Sequence, residues 1–419
     1  MKRYIALTVA VCMMLSMVGC SKAKDLFPEN TKVEGQEQTG PVDESRMKVG
    51  FLFPSGSDST DTMARVEGIR RMQYETGLSD NQIIMKTGVK KADVETTIDN
   101  MVAQGCHIIF SCGKSWESSV IDAAGKYPNV QFCQEGGKKA KKSGLSNMHD
   151  YYVRLYEGYY VSGIAAGMKI NEMLNHGKIS RYNCKIGFVA NKKEPESTSC
   201  ANAFYLGVGE ACSQASMLVR YTDSTGVYDD DGEAARQLAK AGVGFMSQYT
   251  TTTAVAAVCA ENDIPIVGNE QNIIDVAPNE ALTSAVVNWD AYYSYAIDCL
   301  IEGEEIDADW SGGYKEGAVT LTQLNDAHLA QGTVERLKTV EEALRKKSEK
   351  VFDTEKFTVE GESLSELVEE DENYKKYKKY VYDGAFHESE KRSAPAMDFM
   401  MDGVEESTYD YLLEESEEE

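Results

Sequence analysis

Histidine is scarce in this 419-residue chain, and its five copies are scattered at positions 107, 149, 176, 328 and 387. They form no HExxH and no i, i+4 pair, so no helix-borne zinc centre is indicated. No two cysteines stand at C-x-x-C spacing, which removes zinc-ribbon and thioredoxin-like readings. A Gly-x-Ser-x-Gly elbow is missing, as is a Gly-x-Gly-x-x-Gly after the first strand. Gly113-Lys114-Ser115 ends like a phosphate loop, yet the position five before Gly113 is Ile108, so the backbone cradle is absent. No cofactor and no metal is indicated. Carboxylates are numerous enough that the sequence leaves a glycosidase-like pair open.

Basic residues are also short. Lys and Arg number 43 against 68 Asp and Glu, a net charge of −25, and so acidic a surface repels a phosphate backbone and excludes nucleic-acid binding by a basic face. The imbalance is uneven: the last 70 residues carry 22 acids and 8 bases, the pattern of solvated helix faces and a solvated tail. Apolar residues at 42% and charged residues at 26% describe a folded globular chain.

Lys2 and Arg3 precede an apolar run from Tyr4 to Val18 that ends in Leu15-Ser16-Met17-Val18-Gly19-Cys20. The run suits an export signal and is short for a bilayer span. Its end resembles a bacterial lipobox, which implies cleavage after Gly19 and diacylglycerol on the Cys20 thiol. Residues 1–20 are then a signal and 21–46, polar and aperiodic, a flexible tether with a reach of roughly 25–30 Å. No later stretch approaches 18 apolar residues, so the body is expected outside the membrane. Eight cysteines remain there, at 106, 112, 133, 184, 200, 212, 259 and 299, several within or beside apolar strand-like runs. They are read as buried free thiols ahead of disulfides.

From Met47 short apolar runs alternate with helical segments. Strands are expected at Lys48–Phe53, Gln82–Lys86, Ile108–Cys112, Val130–Gln134, Lys185–Ala190, Met217–Tyr221, Gly244–Gln248, Pro265–Gly268, Thr283–Val287 and Ala318–Leu321. This predicts an α/β fold with parallel sheets and right-handed crossovers. About ten strands exceed the need of one doubly wound unit, and the pattern restarts near Lys185, so two Rossmann-like lobes joined by a hinge are expected. Lobe 1 comprises 47–152 with about 286–312, and lobe 2 comprises 153–285 with about 313–330. Residues 331–419 form an extension expected to pack on the lobes, with short β segments at 351–352, 357–359 and 380–382 and a loose acidic end. Ligands of such folds sit beyond the carboxyl ends of strands. The loops that matter are therefore 54–62, 113–116, 135–136, 191–204, 249–252, 270–272 and 288–290.

Val49-Gly50-Phe51-Leu52-Phe53, Asp58 to Ile69 and Tyr127-Pro128-Asn129-Val130 resemble the basic membrane protein family of lipoproteins, the purine nucleoside receptor A-like solute-binding components of ABC importers. So do Tyr156-Glu157-Gly158-Tyr159-Tyr160 through Gly167, Phe204 to Gly207 and Ile264-Pro265-Ile266-Val267-Gly268. The resemblance covers roughly 47–325. It implies a type I periplasmic-binding-protein, Venus-flytrap architecture that is not an enzyme. Such a protein closes on a small ligand, a nucleoside or nucleobase, and delivers it to an ABC permease from a lipid anchor on the extracytoplasmic face of the cell membrane. The alternative is a ligand-sensing subunit signalling to a membrane receptor or kinase.

A nucleoside offers a flat base for stacking and hydroxyls for carboxylates. The resemblance places the base-stacking phenylalanine at Phe204 and a ligand aspartate at Asp58, and puts Glu270 where an aspartate holds the sugar. Asp61 and Thr62 stand where the family has Phe-Asn, Glu135 or Gly136, depending on alignment, replaces an expected aspartate, and Val287 replaces a lysine. Tyr249-Thr250-Thr251-Thr252-Thr253 takes the place of a glycine-rich turn, with Tyr249 and Thr251 as the candidates from it. Gly113, Trp116 and Asn288 complete the candidate set from their strand-end positions.

Overall fold

The computed structural model describes residues 41–180, 184–390 and 392–407. The signal, Cys20, most of the tether and the acidic end lie outside the described residues.

Lobe 1 is built from β1 (Val49–Leu52), α1 (Thr60–Thr76), β2 (Ile83–Lys86), α2 (Val94–Ala103), β3 (Ile108–Ser111), α3 (Glu117–Lys126), β4 (Gln131–Glu135), α4 (Ala140–Ser143) and β5 (Met148–Val153). Lobe 2 follows as α5 (Tyr156–Asn175), β6 (Lys185–Ala190), α6 (Pro195–Gly209), β7 (Ser216–Tyr221), α7 (Tyr228–Lys240), β8 (Phe245–Tyr249), α8 (Ala254–Glu261), β9 (Ile266–Asn269) and β10 (Ala281–Val287). The chain then returns to lobe 1 for α9 (Asp290–Glu302), which packs on α1, and β11 (Asp309–Gly312), and crosses back for β12 (Val319–Leu321). Lobe 1 carries a parallel sheet in the order β11-β5-β4-β3-β1-β2. The lobe 2 order β12-β10-β9-β8-β6-β7 is parallel except at β12. These are two α/β lobes with parallel-dominated sheets.

Local chemistry sets the element ends next to the loops that matter. Extended Ser59 accepts a 3.1 Å hydrogen bond from the Thr62 amide and starts α1, which stops at Gly77 with φ 73°. Pro195 begins α6, where its missing N–H costs nothing. β1 and β3 are buried along their whole length because helices cover both faces of a parallel sheet. β5 and β11 were not expected from the sequence. Met148-His149-Asp150-Tyr151-Tyr152-Val153 carries two ionisable side chains, His149 and Asp150, yet every residue of it is buried. His149 Nε2 is satisfied by Gln131 Oε1 at 2.8 Å, and Asp150 accepts from the Ala140 amide at 2.7 Å.

Helices α5 and α6 meet backbone to backbone. A Cβ on Gly163 would sit 2.3 Å from the Phe204 carbonyl oxygen, and one on Gly207 would sit 2.1 Å from that of Tyr160. Glycine is required at both by this close approach.

After β12 an extension runs through α10 (Thr333–Arg345), laid on α5, then α11 (Leu364–Glu370), β13 (Val381–Tyr382), β14 (Ala385–Phe386) and β15 (Val404–Glu406), which joins β7 in parallel. Ser393 Oγ donates to Gly137 O of lobe 1 at 3.0 Å, while Asn202 of α6 donates to Phe399 O at 2.8 Å, so the segment is tied to both lobes. The β segments expected at 351–352 and 357–359 form no strand; isolated bridges join Asp353 to Ala385 and Val359 to Glu362.

Gly207→Val is expected to lower the unfolding free energy by about 1–3 kcal/mol or more through overpacking. Gly209→Ala, with open space around its missing Cβ, serves as the neutral control. Denaturation midpoints check this, and equal midpoints for the two variants would refute the close helix contact.

Candidate functional site: a charged cleft between the lobes

The carboxyl ends of both parallel sheets converge on a cavity of about 490 Å³. Lobe 1 contributes the loop after β1, Lys114 after β3, Glu135 at the end of β4 and Tyr152 of β5. Lobe 2 contributes Asn191, Glu196, Tyr249, Thr251, Thr252, Asn269 and Glu270, with Val287 and Trp289 on the crossover after β10.

A buried guanidinium organises this wall. Arg65, one turn past Asp61 on α1, donates Nε and Nη2 to the two carboxylate oxygens of Glu135 at 2.9 and 2.7 Å. Nη1 donates to the Asp61 carbonyl at 3.0 Å and to its carboxylate. Its Cζ lies 4.1 Å from the centre of the Trp289 ring. The bidentate fork accounts for the donors that burial would otherwise leave unpaired. Burial still pushes the Glu135 carboxyl up, with Arg65 opposing.

Glu270 follows β9 in the left-handed region at φ 55° and faces the cavity. Its carboxyl is raised to about 7, first by burial and then by the neighbouring Asp61, Glu196 and Glu135, with Arg65 pulling the other way. Lys114 of lobe 1 pairs with Glu196 in the first turn of α6, an ion pair that spans the two lobes. Tyr152 OH, Asn269 Oδ1 and Trp289 Nε1 are buried without a partner among the described residues, and all three belong to lining residues. Buried polar groups are normally satisfied, so these are groups a ligand can engage. Among the lining aromatics Tyr249 alone is part-exposed; Trp289 is covered by Arg65 and by Tyr293, whose ring centre is 6.5 Å away.

Of the candidates, Asp58, Asp61, Glu135, Tyr249, Thr251 and Glu270 come together on the cavity wall. Five do not. Phe204 is fully buried between Phe188 and Phe245, with ring centres 6.1 and 6.5 Å away, because its side of α6 is the one that packs into the core. Thr62 is spent on the α1 cap, where its hydroxyl accepts from Ser59 Oγ. Trp116 lies in the outer core of lobe 1 and folds over Gly113, where a Cβ would sit 2.3 Å from the indole. Asn288 donates to the Gly317 carbonyl at 2.9 Å and pins one crossover to another. Sequence reasoning did not single out Arg65, Lys114, Tyr152, Glu196, Asn269 or Trp289. Asp61 and Arg65 at i, i+4 formed a local signal, and Lys114, Glu196 and Trp289 stood inside the strand-end loops 113–116, 191–204 and 288–290 already marked.

The family model for PnrA-like ABC transporter substrate-binding proteins matches residues 47–353. The chain belongs to that family. Its members bind small solutes outside the cytoplasm and deliver them to ABC permeases; they are binders, not enzymes. A purine-binding protein of Brucella abortus is 26% identical over 305 residues, covering 71% of this chain and 83% of that one. A putative ABC transporter glucose-binding protein of Haloferax volcanii is 25% identical over 56% of each chain. In structure the chain is similar to an ABC transporter solute-binding protein of Conexibacter woesei, with a TM-score of 0.58 at 16% identity over 73% of this chain and 98% of the other. A second, from Aeropyrum pernix, gives 0.54 at 20% identity over 72% and 86%. These likenesses fix the fold. Among the described residues no cluster of His, Cys, Asp and Glu could hold a metal ion, and no helix is long and apolar enough to cross a membrane.

Two outcomes follow from the cleft's charges. Lys114→Glu is expected to shift the lobes toward the open form, and Lys114→Glu with Glu196→Lys to restore closure. The pair is part-exposed, so the effect is under about 1 kcal/mol. Small-angle scattering of the three proteins checks it, and failure of the swap to rescue would refute a charge-based link. Glu270, raised from 4.5 to about 7 in the folded state, binds more protons there than in the unfolded chain between those pH values. Stability therefore falls as pH rises through that window. Glu270→Gln is expected to raise stability by roughly 1–3 kcal/mol at pH 8 and to change little at pH 4; denaturation at the two pH values is the check.

Proposed function

We propose that this chain is a lipid-anchored extracytoplasmic binding protein that carries a nucleoside or nucleobase to an ABC importer and returns it chemically unaltered. The observation that supports the ligand class most directly is the composition of the cleft wall. Asp58, Asp61, Glu135, Glu196 and Glu270 outnumber Arg65 and Lys114, and both cations are already engaged by carboxylates. Such a wall repels phosphate and accepts hydrogen bonds from hydroxyl and amine donors. The cavity falls in the range that encloses small organic ligands. Tyr249 offers an accessible aromatic ring, taking the stacking role that the resemblance assigned to Phe204. The purine-binding relative from Brucella abortus points the same way.

Closure follows from differential affinity. A ligand touching Asp61 and Glu135 from one lobe and Tyr249 and Glu270 from the other is held by both walls in the closed form alone, so it shifts the population to the form presented to a permease. The lipobox-like sequence ending at Cys20 supports the anchor.

The test is a thermal-shift and calorimetric panel of adenosine, guanosine, inosine, the corresponding bases, adenosine monophosphate and glucose, preceded by mass spectrometry of whatever co-purifies. A nucleoside or base is expected to bind, and the monophosphate is expected not to. Tyr249→Ala should weaken the bound nucleoside by roughly 5- to 150-fold, the worth of about 1–3 kcal/mol of stacking, while Tyr249→Phe keeps the ring and the affinity. Selective binding of glucose would overturn the assignment.

A further inference from the structure

The eight cysteines of the body are all buried thiols, and two of them face each other. Cys184, immediately before β6, and Cys212, just after α6, have sulfurs 3.6 Å apart. No other pair of thiols is hydrogen-bonded among the described residues. The backbone holds both in place. The Cys184 carbonyl accepts from the Ser216 amide at 3.1 Å, the Cys212 amide donates to Val208 O at 2.8 Å, and the Cys212 carbonyl accepts from Ala215 N at 3.3 Å. A disulfide requires about 2.05 Å between sulfurs, a closure of about 1.5 Å from the observed separation.

The geometry points to Cys184 and Cys212 as a redox pair that is joined in the mature protein by a disulfide. Access is provided by a surface cavity of about 430 Å³ between Gly209, Glu210, Ser213 and Lys356 that reaches Cys212. Cys212 lines that cavity and Cys184 does not, so Cys212 is the sulfur that an oxidant meets first. The reaction is a double exchange. Cys212 thiolate attacks the disulfide of an extracytoplasmic thiol oxidant and displaces one of the oxidant's thiols. Cys184 thiolate then attacks the Cys212 sulfur and displaces the second. Two protons and two electrons pass to the oxidant, which leaves as a dithiol.

The bond would close a loop of 28 residues in sequence separation around β6 and α6, the unit that carries Asn191 and Glu196 to the cleft. It does so at the amino end of the strand and the carboxyl end of the helix, away from the cavity, so its effect is on the stability of lobe 2.

The compartment in this proposal rests on the extracytoplasmic reading, and the experiment separates the two. The purified full chain is incubated with oxidised dithiothreitol, denatured, alkylated without reduction, digested and analysed by mass spectrometry; the same mapping is done on protein recovered from cell envelopes. After oxidation in vitro the peptides carrying Cys184 and Cys212 are expected as one species two hydrogens lighter than their sum, with the other six body cysteines alkylated. Reduction should lower the unfolding temperature by about 5 °C, a shift absent from the Cys184→Ser, Cys212→Ser double variant. Alkylation of both cysteines after oxidation in vitro, a mixed disulfide that stops at Cys212, or a link to any other cysteine would each overturn the pair. A link formed in vitro but absent from envelope protein would keep the geometry and overturn its presence in the mature protein.

Discussion

Most polar groups of the cleft stand at or just beyond the carboxyl end of a parallel strand, with Arg65 reaching in from α1 and Glu196 from α6, and that constraint governs the molecule. Right-handed crossovers bury each sheet between helices and leave the strand ends as the place where backbone can turn without helix cover. Because the chain changes lobe after β5, after β10 and after β11, it brings two such ends face to face. The loops after β1, β3 and β4 then meet those after β6, β8 and β9, although the matching strand ends are 134 to 138 residues apart in sequence.

Within that frame the buried guanidinium of Arg65 sets the electrostatics. A lone charge at this depth would be prohibitively costly. Glu135 and Asp61 neutralise it, and Trp289 covers its face. The surplus carboxylates, Asp58 and Glu270, are then left to the cavity. This makes the cleft a poor host for anions and a good one for hydrogen-bond donors. It also places Glu270 where its charge depends on pH near neutrality.

The extension from 354 onward lies outside the family match, yet it is part of the body. β15 completes the edge of the lobe 2 sheet beside β7. Glu388, fully buried, gathers the amides of Ala396 and Met397 at 2.7 and 3.0 Å, and its carbonyl accepts from Tyr156 OH at 3.0 Å. With Ser393 on Gly137 and Asn202 on Phe399, the segment gives the two lobes a connection beyond the three crossovers.

The amino-acid sequence by itself determined the strand and helix alternation, the restart after residue 184, the strand-end loops and the excess of acid. All of these are local patterns of side-chain polarity and spacing that each segment carries alone. It also marked Asp58, Asp61, Glu135, Tyr249, Thr251 and Glu270, since residues at strand ends need only the strand to be recognised. Tertiary structure decided the rest. β5 carries His149 and Asp150, whose burial in a strand depends on partners far off in the chain or in a neighbouring element, Gln131 for His149 Nε2 and the Ala140 amide for one Asp150 oxygen. Phe204 lies in a marked loop-and-helix segment, but whether an aromatic on a helix faces ligand or core depends on which side the partner helix covers. Here the glycines of α5 and α6 draw the two backbones together and turn Phe204 inward. Arg65 and Trp289 are over 200 residues apart, and no sequence pattern places one over the other. Their contact is a product of the third dimension, because it requires the first two of the three lobe crossovers and the α1–α9 packing to have formed.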